Sequence, residues 1–136
     1  MQLVADANVL LSAVIGGRAK LVLGHPDVKT VSAPVFALDE VHKYLPMLAE
    51  KRRLRLDTLL LTLASLPVTV VERSEYQRHV KEATRRMRPR DPNDVDVLAL
   101  ALQLGHAVWS NDNDFEDAGV EWHTTAELLK ALGVRS

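Results

Sequence analysis

Cysteine is missing from this chain, which excludes a disulfide framework, a thiolate nucleophile and a cysteine-ligated zinc site. A reducing compartment is therefore permitted. Aromatic rings are scarce, two each of Phe, Trp and Tyr, so a surface that reads single strands by stacking bases on rings is not expected. No apolar run approaches the roughly 18 residues that a membrane span needs, and no basic, apolar leader precedes the opening strand pattern. A soluble, cytoplasmic protein is the expectation. Positive charge is unevenly spread: no Lys or Arg occurs between Asp91 and Leu129, although the net charge of the whole chain is only −1. Basic residues crowd instead into Lys51 to Arg55 and Arg78 to Arg90.

What is present is enough sequence, 136 residues, for one core. Residues 1–136 read as a single domain without internal repeats. Its most informative stretch is DPNDVDVLALALQLGHAVWSNDNDF, from Asp91 to Phe115. Asp91 suits a helix N-cap, Pro92 the first helical position, and Asp94 the first turn near the positive end of the helix dipole. From Val95 to Leu104 only Asp96 and Gln103 are polar, as in a helix buried nearly all round, and Gly105 suits its C-terminus. Ala107 to Ser110 then reads as a short buried parallel strand. Because a helix that turns straight into a strand runs antiparallel to it, the two ends of this unit share one sheet edge. Asp94 and Asp112 therefore meet there.

The remaining chain alternates strands and helices. Gln2 to Ala5 is a strand, followed by a short helix carrying Val9, Leu10, Ala13 and Val14 and ended by Gly16 and Gly17. A second helix spans Arg18 to Leu23 and a second strand Val28 to Val31. Ser32 is placed to cap the next helix, with Pro34 in its first turn and Pro46 kinking or interrupting it. The leucine-rich stretch from Met47 to Leu66, with a corner at Lys51 to Arg55, reads as part of a helical hairpin standing off the sheet. Val68 to Val71 is a third strand, and Ser74 with Gln77 suggests a capping box for a helix reaching Met87. Val120 to His123 is a last strand, and Thr124 with Glu127 a second capping box. This order predicts an α/β three-layer sandwich, a mainly parallel central sheet flanked by helices and joined by right-handed crossovers.

In such sheets functional groups gather beyond the carboxyl ends of the strands. Asp6, Asp94 and Asp112 fall there, and Glu40, two turns into the helix leaving the second strand, points to the same region. Carboxylates forced together cannot all stay ionised without a counter-charge, and a divalent cation supplies one. With no Cys and no suitably spaced His pair, the donor set favours Mg²⁺ or Mn²⁺ over zinc. His25, His42, His79, His106 and His123 are scattered and read as structural or surface residues.

Asp6-Ala7-Asn8 after the opening strand, Glu40 within SAPVFALDEV, and Asp94 and Asp112 within the central unit resemble the PIN-domain ribonucleases, including the toxins of bacterial VapC-type toxin-antitoxin pairs. The resemblance covers nearly the whole chain and lies above all in the spacing of Asp94, Ala99, Ala101, Gly105, Ser110, Asp112 and Phe115. It implies that Asp6, Glu40, Asp94 and Asp112 are the metal-binding, catalytic acids, with Asp114 an addition to the set. It also implies that Asn8, Ser12 and Ser110 support them by hydrogen bonds, that the substrate is RNA, that an antitoxin protein is a possible partner, and that the chain forms a homodimer. The apolar stretch Leu56 to Leu63 offers surface for that dimer, although core packing explains the same leucines. Asp96 departs from the family pattern and competes with Asp94 for the inward position. The first-turn place and the spacing to Gly105 favour Asp94.

Each of these residues also has a plainer explanation. Asp6, Asn8, Asp91 and Asp94 taken singly are ordinary turn and capping residues, Glu40 a solvated helix residue, and Asn8, Ser12 and Ser110 partners for local backbone. Their conjunction carries the nuclease reading. Arg52 and Arg53, and Arg85 and Arg86, are candidates for gripping an RNA backbone, against the alternative of solvated faces with Glu72, Glu75 and Glu82 interleaved. Two other functions compete. An aspartate-nucleophile phosphatase would want a second Asp where Asn8 stands and a well-placed Lys. A non-catalytic RNA- or protein-binding module of the same fold would leave the acids without a task.

Overall fold

The computed structural model describes residues 1–87 and 92–134. The Asp91 N-cap and the end of the basic segment, Arg88 to Arg90, lie outside the described residues. Strand β1 (Gln2–Ala5) leads into α1 (Ala7–Val14) and α2 (Ala19–Leu23), then β2 (Thr30–Pro34), α3 (Val35–Arg52) and α4 (Leu56–Ser65). After β3 (Thr69–Val71) come two 3₁₀ turns, Arg73–Glu75 and Gln77–His79, and α5 (Val80–Met87). The chain closes through α6 (Pro92–Leu104), β4 (Ala107–Trp109), a 3₁₀ turn at Asn113–Phe115, β5 (Trp122–His123) and α7 (Thr125–Ala131).

All five strands are parallel, in the order β3-β2-β1-β4-β5. Alternation along the strands divides the core in two. Leu3, Ala5, Val31, Ala33, Ala107 and Trp109 join one buried cluster with residues of α1, α2, α3, α4 and α7. Val4, Val71 and Val108 face the other, with Tyr76, Ala83, Met87, Phe115 and the apolar residues of α6. The result is the three-layer α/β sandwich. The chain winds outward from β1 through β2 to β3, and β4 lies on the opposite flank of β1, so the sheet's switch point falls between β1 and β4.

Several boundaries differ from expectation, each for a tertiary reason. The second strand is Thr30–Pro34 instead of Val28 to Val31, and Ser32 is a strand residue paired with Val4 and Thr69, not a helix cap. Neighbours on both sides prolong the strand, and Pro34, extended at φ −68° and ψ 149°, ends it without a side-chain cap for α3. Pro46 does not interrupt α3. It lies on the solvent side, where water can satisfy the carbonyl it leaves without a donor, while Ala37, Val41, Leu45 and Ala49 keep the buried stripe continuous. The α3–α4 hairpin does not stand off the sheet, because Leu59 and Leu63 of α4 enter the core. The capping box at Ser74 and Gln77 does not form. Tyr76 is buried at the break between the two 3₁₀ turns and donates its hydroxyl to Asp96, which interrupts the helix there. By contrast Thr124 and Glu127 exchange both bonds of their capping box, at 3.2 and 2.9 Å, and Gly105 ends α6 at φ +67°.

Candidate active site

The carboxyl edge at the β1–β4 switch is built from short-range hydrogen bonds. Asp6 leaves β1 as the N-cap of α1, its Oδ1 accepting from Val9 N at 2.9 Å. Its other oxygen accepts from the Ser110 hydroxyl at the end of β4. The Ser110 Oγ in turn accepts from Asp112 N at 3.0 Å, and Asp112 Oδ1 accepts from Asp114 N at 3.2 Å, opening the 3₁₀ turn. One serine thus ties the acid of the first strand to the acids of the last loop.

Asp94 comes in from the first turn of α6 and is buried. One carboxylate oxygen from each of Asp94, Asp112 and Asp114 lies within 4.8 Å of the other two, so the three could share one cation. Asp6, Asn8, Glu40, Asp94 and Asp112 line a single cleft, floored by Ala7, Ala37 and Val97. Burial pushes the Asp6 carboxyl above its ordinary range, and the nearby Asp112 charge adds to this, against the opposing bonds from Ser110, Val9 and Asn8. An all-oxygen, carboxylate-only set fits a hard cation such as Mg²⁺ or Mn²⁺. A model of the PIN domain matches residues 4–133. The chain belongs to the PIN domain family.

This PIN domain has a structural likeness to VapBC2 from Rickettsia felis, bound to a DNA fragment from their promoter: TM-score 0.61 at 12% identity, covering 91% of this chain and 98% of that one. At that identity the likeness shows the fold. No curated protein matches the chain.

Within the PIN domain the two competing α6 acids point to different places. Asp94 lines the cleft, whereas Asp96, two residues on, is buried against the Tyr76 hydroxyl. Ser12 does not line the cleft. Its backbone carbonyl accepts from Gly17 N at 2.7 Å, and a Cβ at Gly17 would collide with its hydroxyl, which is why glycine stands there. Arg52 and Arg53 are exposed at the α3 C-terminus and line no part of the cleft, and Arg53 takes a left-handed φ of 54° to close the helix. Arg85 and Arg86 do not line this cleft but a separate hollow, which they share with Asn113, Asp114 and residues 116–119.

The braces of this edge join residues distant in sequence, which no local pattern encodes. Trp109 Nε1 donates to Thr125 Oγ1 at 2.9 Å, Trp122 Nε1 to the Ser110 carbonyl at 3.0 Å, and Thr125 N to Asn111 Oδ1 at 2.8 Å. These bonds fix the loop that presents Asp112. The two tryptophans near the strand ends were the one available signal.

The Asp6 geometry makes a stability prediction. Asn at this position keeps the bond from Val9 N and turns an amide toward Ser110, while removing a charge that burial disfavours at neutral pH. Asp6→Asn should therefore melt at or above the parent without metal. Asp6→Ala, lacking the cap, should lie about 1 kcal/mol below Asp6→Asn. Thermal melts in chelator test this ordering, and an Asn variant less stable than the Ala variant defeats it.

Proposed function

We propose that this PIN domain is a ribonuclease that hydrolyses RNA phosphodiester bonds with Mg²⁺ or Mn²⁺. The observation that carries the reading is the convergence of Asp94, Asp112 and Asp114 oxygens beside the buried Asp6 at the switch-point edge. Asp94, Asp112 and Asp114 would hold the cation, and Asp6 and Glu40, which line the cleft together with Asp94 and Asp112, would add their carboxylates to the site. The bound cation would supply a water activated at neutral pH and charge stabilisation for the leaving oxygen. The protein's own task is orientation. Ser110 and the Val9 N–H fix the Asp6 carboxylate, and Ser110 also sets the start of the loop that carries the other two acids.

The biological setting proposed is that of a VapC-type toxin, as the sequence resemblance implies, acting in the cytoplasm as a homodimer with an antitoxin partner. The neighbour's presence in a VapBC2 complex supports a protein partner. Among the described residues no helix is long and apolar enough to cross a membrane. Leu60 and Leu61 on α4, with Met47 on α3, leave apolar surface exposed that a partner could cover.

Purified protein should cut RNA when Mg²⁺ or Mn²⁺ is added and stop when it is chelated. The same ions should raise the melting temperature, since a ligand at a hundred times its Kd stabilises by about 2.7 kcal/mol. Unchanged melting together with metal-independent RNA cleavage would refute the site; no cleavage under any metal, with native folding, would favour a non-catalytic module.

A further inference from the structure

We propose that Arg86 is a positioning residue that holds the loop bearing Asp112 and Asp114 against α5, and is not a contact for RNA. The inference deepens the reading of the acid cleft as a cation site and rests on it.

Arg85 and Arg86 are adjacent on α5 but differently engaged. The Arg85 side chain is 71% exposed and bonds Glu82 on its own helix, so among the described residues its bonds connect α5 to nothing else. The Arg86 side chain is 29% exposed, and its Nη1 donates to the Ala118 carbonyl at 3.1 Å, 32 residues along the chain. Its Nε lies 3.8 Å from Glu82 Oε1. The guanidinium is thus turned inward, balanced by an acid on one side and bonded to the loop on the other.

From Ala118 the bonding runs back to the cleft. Ala118 N donates to the Phe115 carbonyl and Glu116 N to that of Asn113, both at 3.1 Å. Asp114 N bonds Asp112 Oδ1, and Asp112 N bonds Ser110 Oγ. Phe115 and Ala118 are buried in the same cluster as Ala83 and Met87 of α5. Apolar packing sets the depth of the loop but has no direction, whereas the Arg86 bond fixes its position along the helix. The approach is close: a Cβ at Gly119, whose φ is +72°, would sit 3.3 Å from Arg86 Nη1. A guanidinium can face the carbonyl and Glu82 together from one planar group. A lysine ammonium has no such fork.

The sign of one measurement separates this from a purely electrostatic role. By Coulomb's law, removing a cation near a cation site tightens metal binding. Loss of a positioning bond loosens it.

The experiment compares the full chain with Arg85→Ala, Arg86→Ala and Arg86→Lys. It reads Mn²⁺ binding by electron paramagnetic resonance, amide hydrogen exchange without metal, and RNA affinity against salt. Arg86→Ala should weaken Mn²⁺ binding about tenfold, the scale on which partners of metal ligands act. It should also speed exchange at the amides of Asp114, Glu116 and Ala118 while leaving the RNA salt slope at the parent value. Arg86→Lys should exchange at intermediate rates, and Arg85→Ala should match the parent in exchange and Mn²⁺ affinity. Parent-like exchange in Arg86→Ala, tighter Mn²⁺ binding, or a salt slope lower by about 0.7, one phosphate contact on a single strand, would overturn the proposal. If Arg86→Ala does not fold, Arg86→Lys decides: faster exchange confined to 113–119 supports the role, and parent rates overturn it. A parent that binds no Mn²⁺ defeats the cation site itself, and the exchange comparison still decides the role of Arg86.

Discussion

Asp94→Asn should lower metal-dependent RNA cleavage about a thousandfold, while Asp96→Asn should stay within a few-fold of the parent. The charge stabilisation that a bound cation gives a transition state amounts to several kcal/mol, and about 4 kcal/mol corresponds to three powers of ten in rate. Asp94 lies in the cleft with its oxygen close to those of Asp112 and Asp114. Asn at this site keeps the shape and loses the charge. Asp96 meets the Tyr76 hydroxyl, and an amide oxygen at that position can accept the same bond. Single-turnover cleavage at saturating RNA isolates the chemical step from binding. Equal losses in the two variants would mean that α6 presents both acids to the reaction, and an active Asp94→Asn protein would remove Asp94 from it.

Tyr76→Phe should cost about 2 kcal/mol, the range of a hydrogen bond to a charged group, and lower the melting temperature by roughly 8 °C for a chain of this size. Both partners are buried, and burial, with Asp96 adding to it, pushes the Tyr76 hydroxyl above its ordinary range, so the proton stays on the tyrosine. Removing the hydroxyl leaves the Asp96 carboxylate without that donor in a place that water reaches poorly. Adding Asp96→Leu to the Phe variant should recover most of the loss, because replacing both polar partners by apolar groups avoids an unsatisfied one. Thermal melts of the parent, the single and the double variant form the test. A Tyr76→Phe protein that melts with the parent would show that Asp96 needs no help from Tyr76.

The pair also shows how far the linear pattern could be read. Residues 94 and 96 are about 200° apart around a helix, so they point to different places, and their types alone do not say which faces the cleft. The choice is made by Tyr76, 20 residues earlier, whose burial between two 3₁₀ turns claims Asp96. Likewise Arg85 and Arg86 are indistinguishable as text. Only the approach of the Ala118 carbonyl gives the second a partner across the loop.

Local chemistry by itself determined the alternation of strands and helices, the helix from Pro92 ended by Gly105, the Thr124–Glu127 capping box, and the place of each of Asp6, Asp94 and Asp112 at the carboxyl edge of the sheet. These follow from hydrophobic period, capping and chain direction, all set by residues within a few positions of one another. Tertiary structure alone decided the prolonged second strand, the unbroken α3 through Pro46, the turn at Tyr76, and the brace of Trp109, Trp122 and Thr125. There the energy comes from partners distant in sequence, a neighbouring strand, solvent on one helix face or a buried carboxylate, and no local period encodes them.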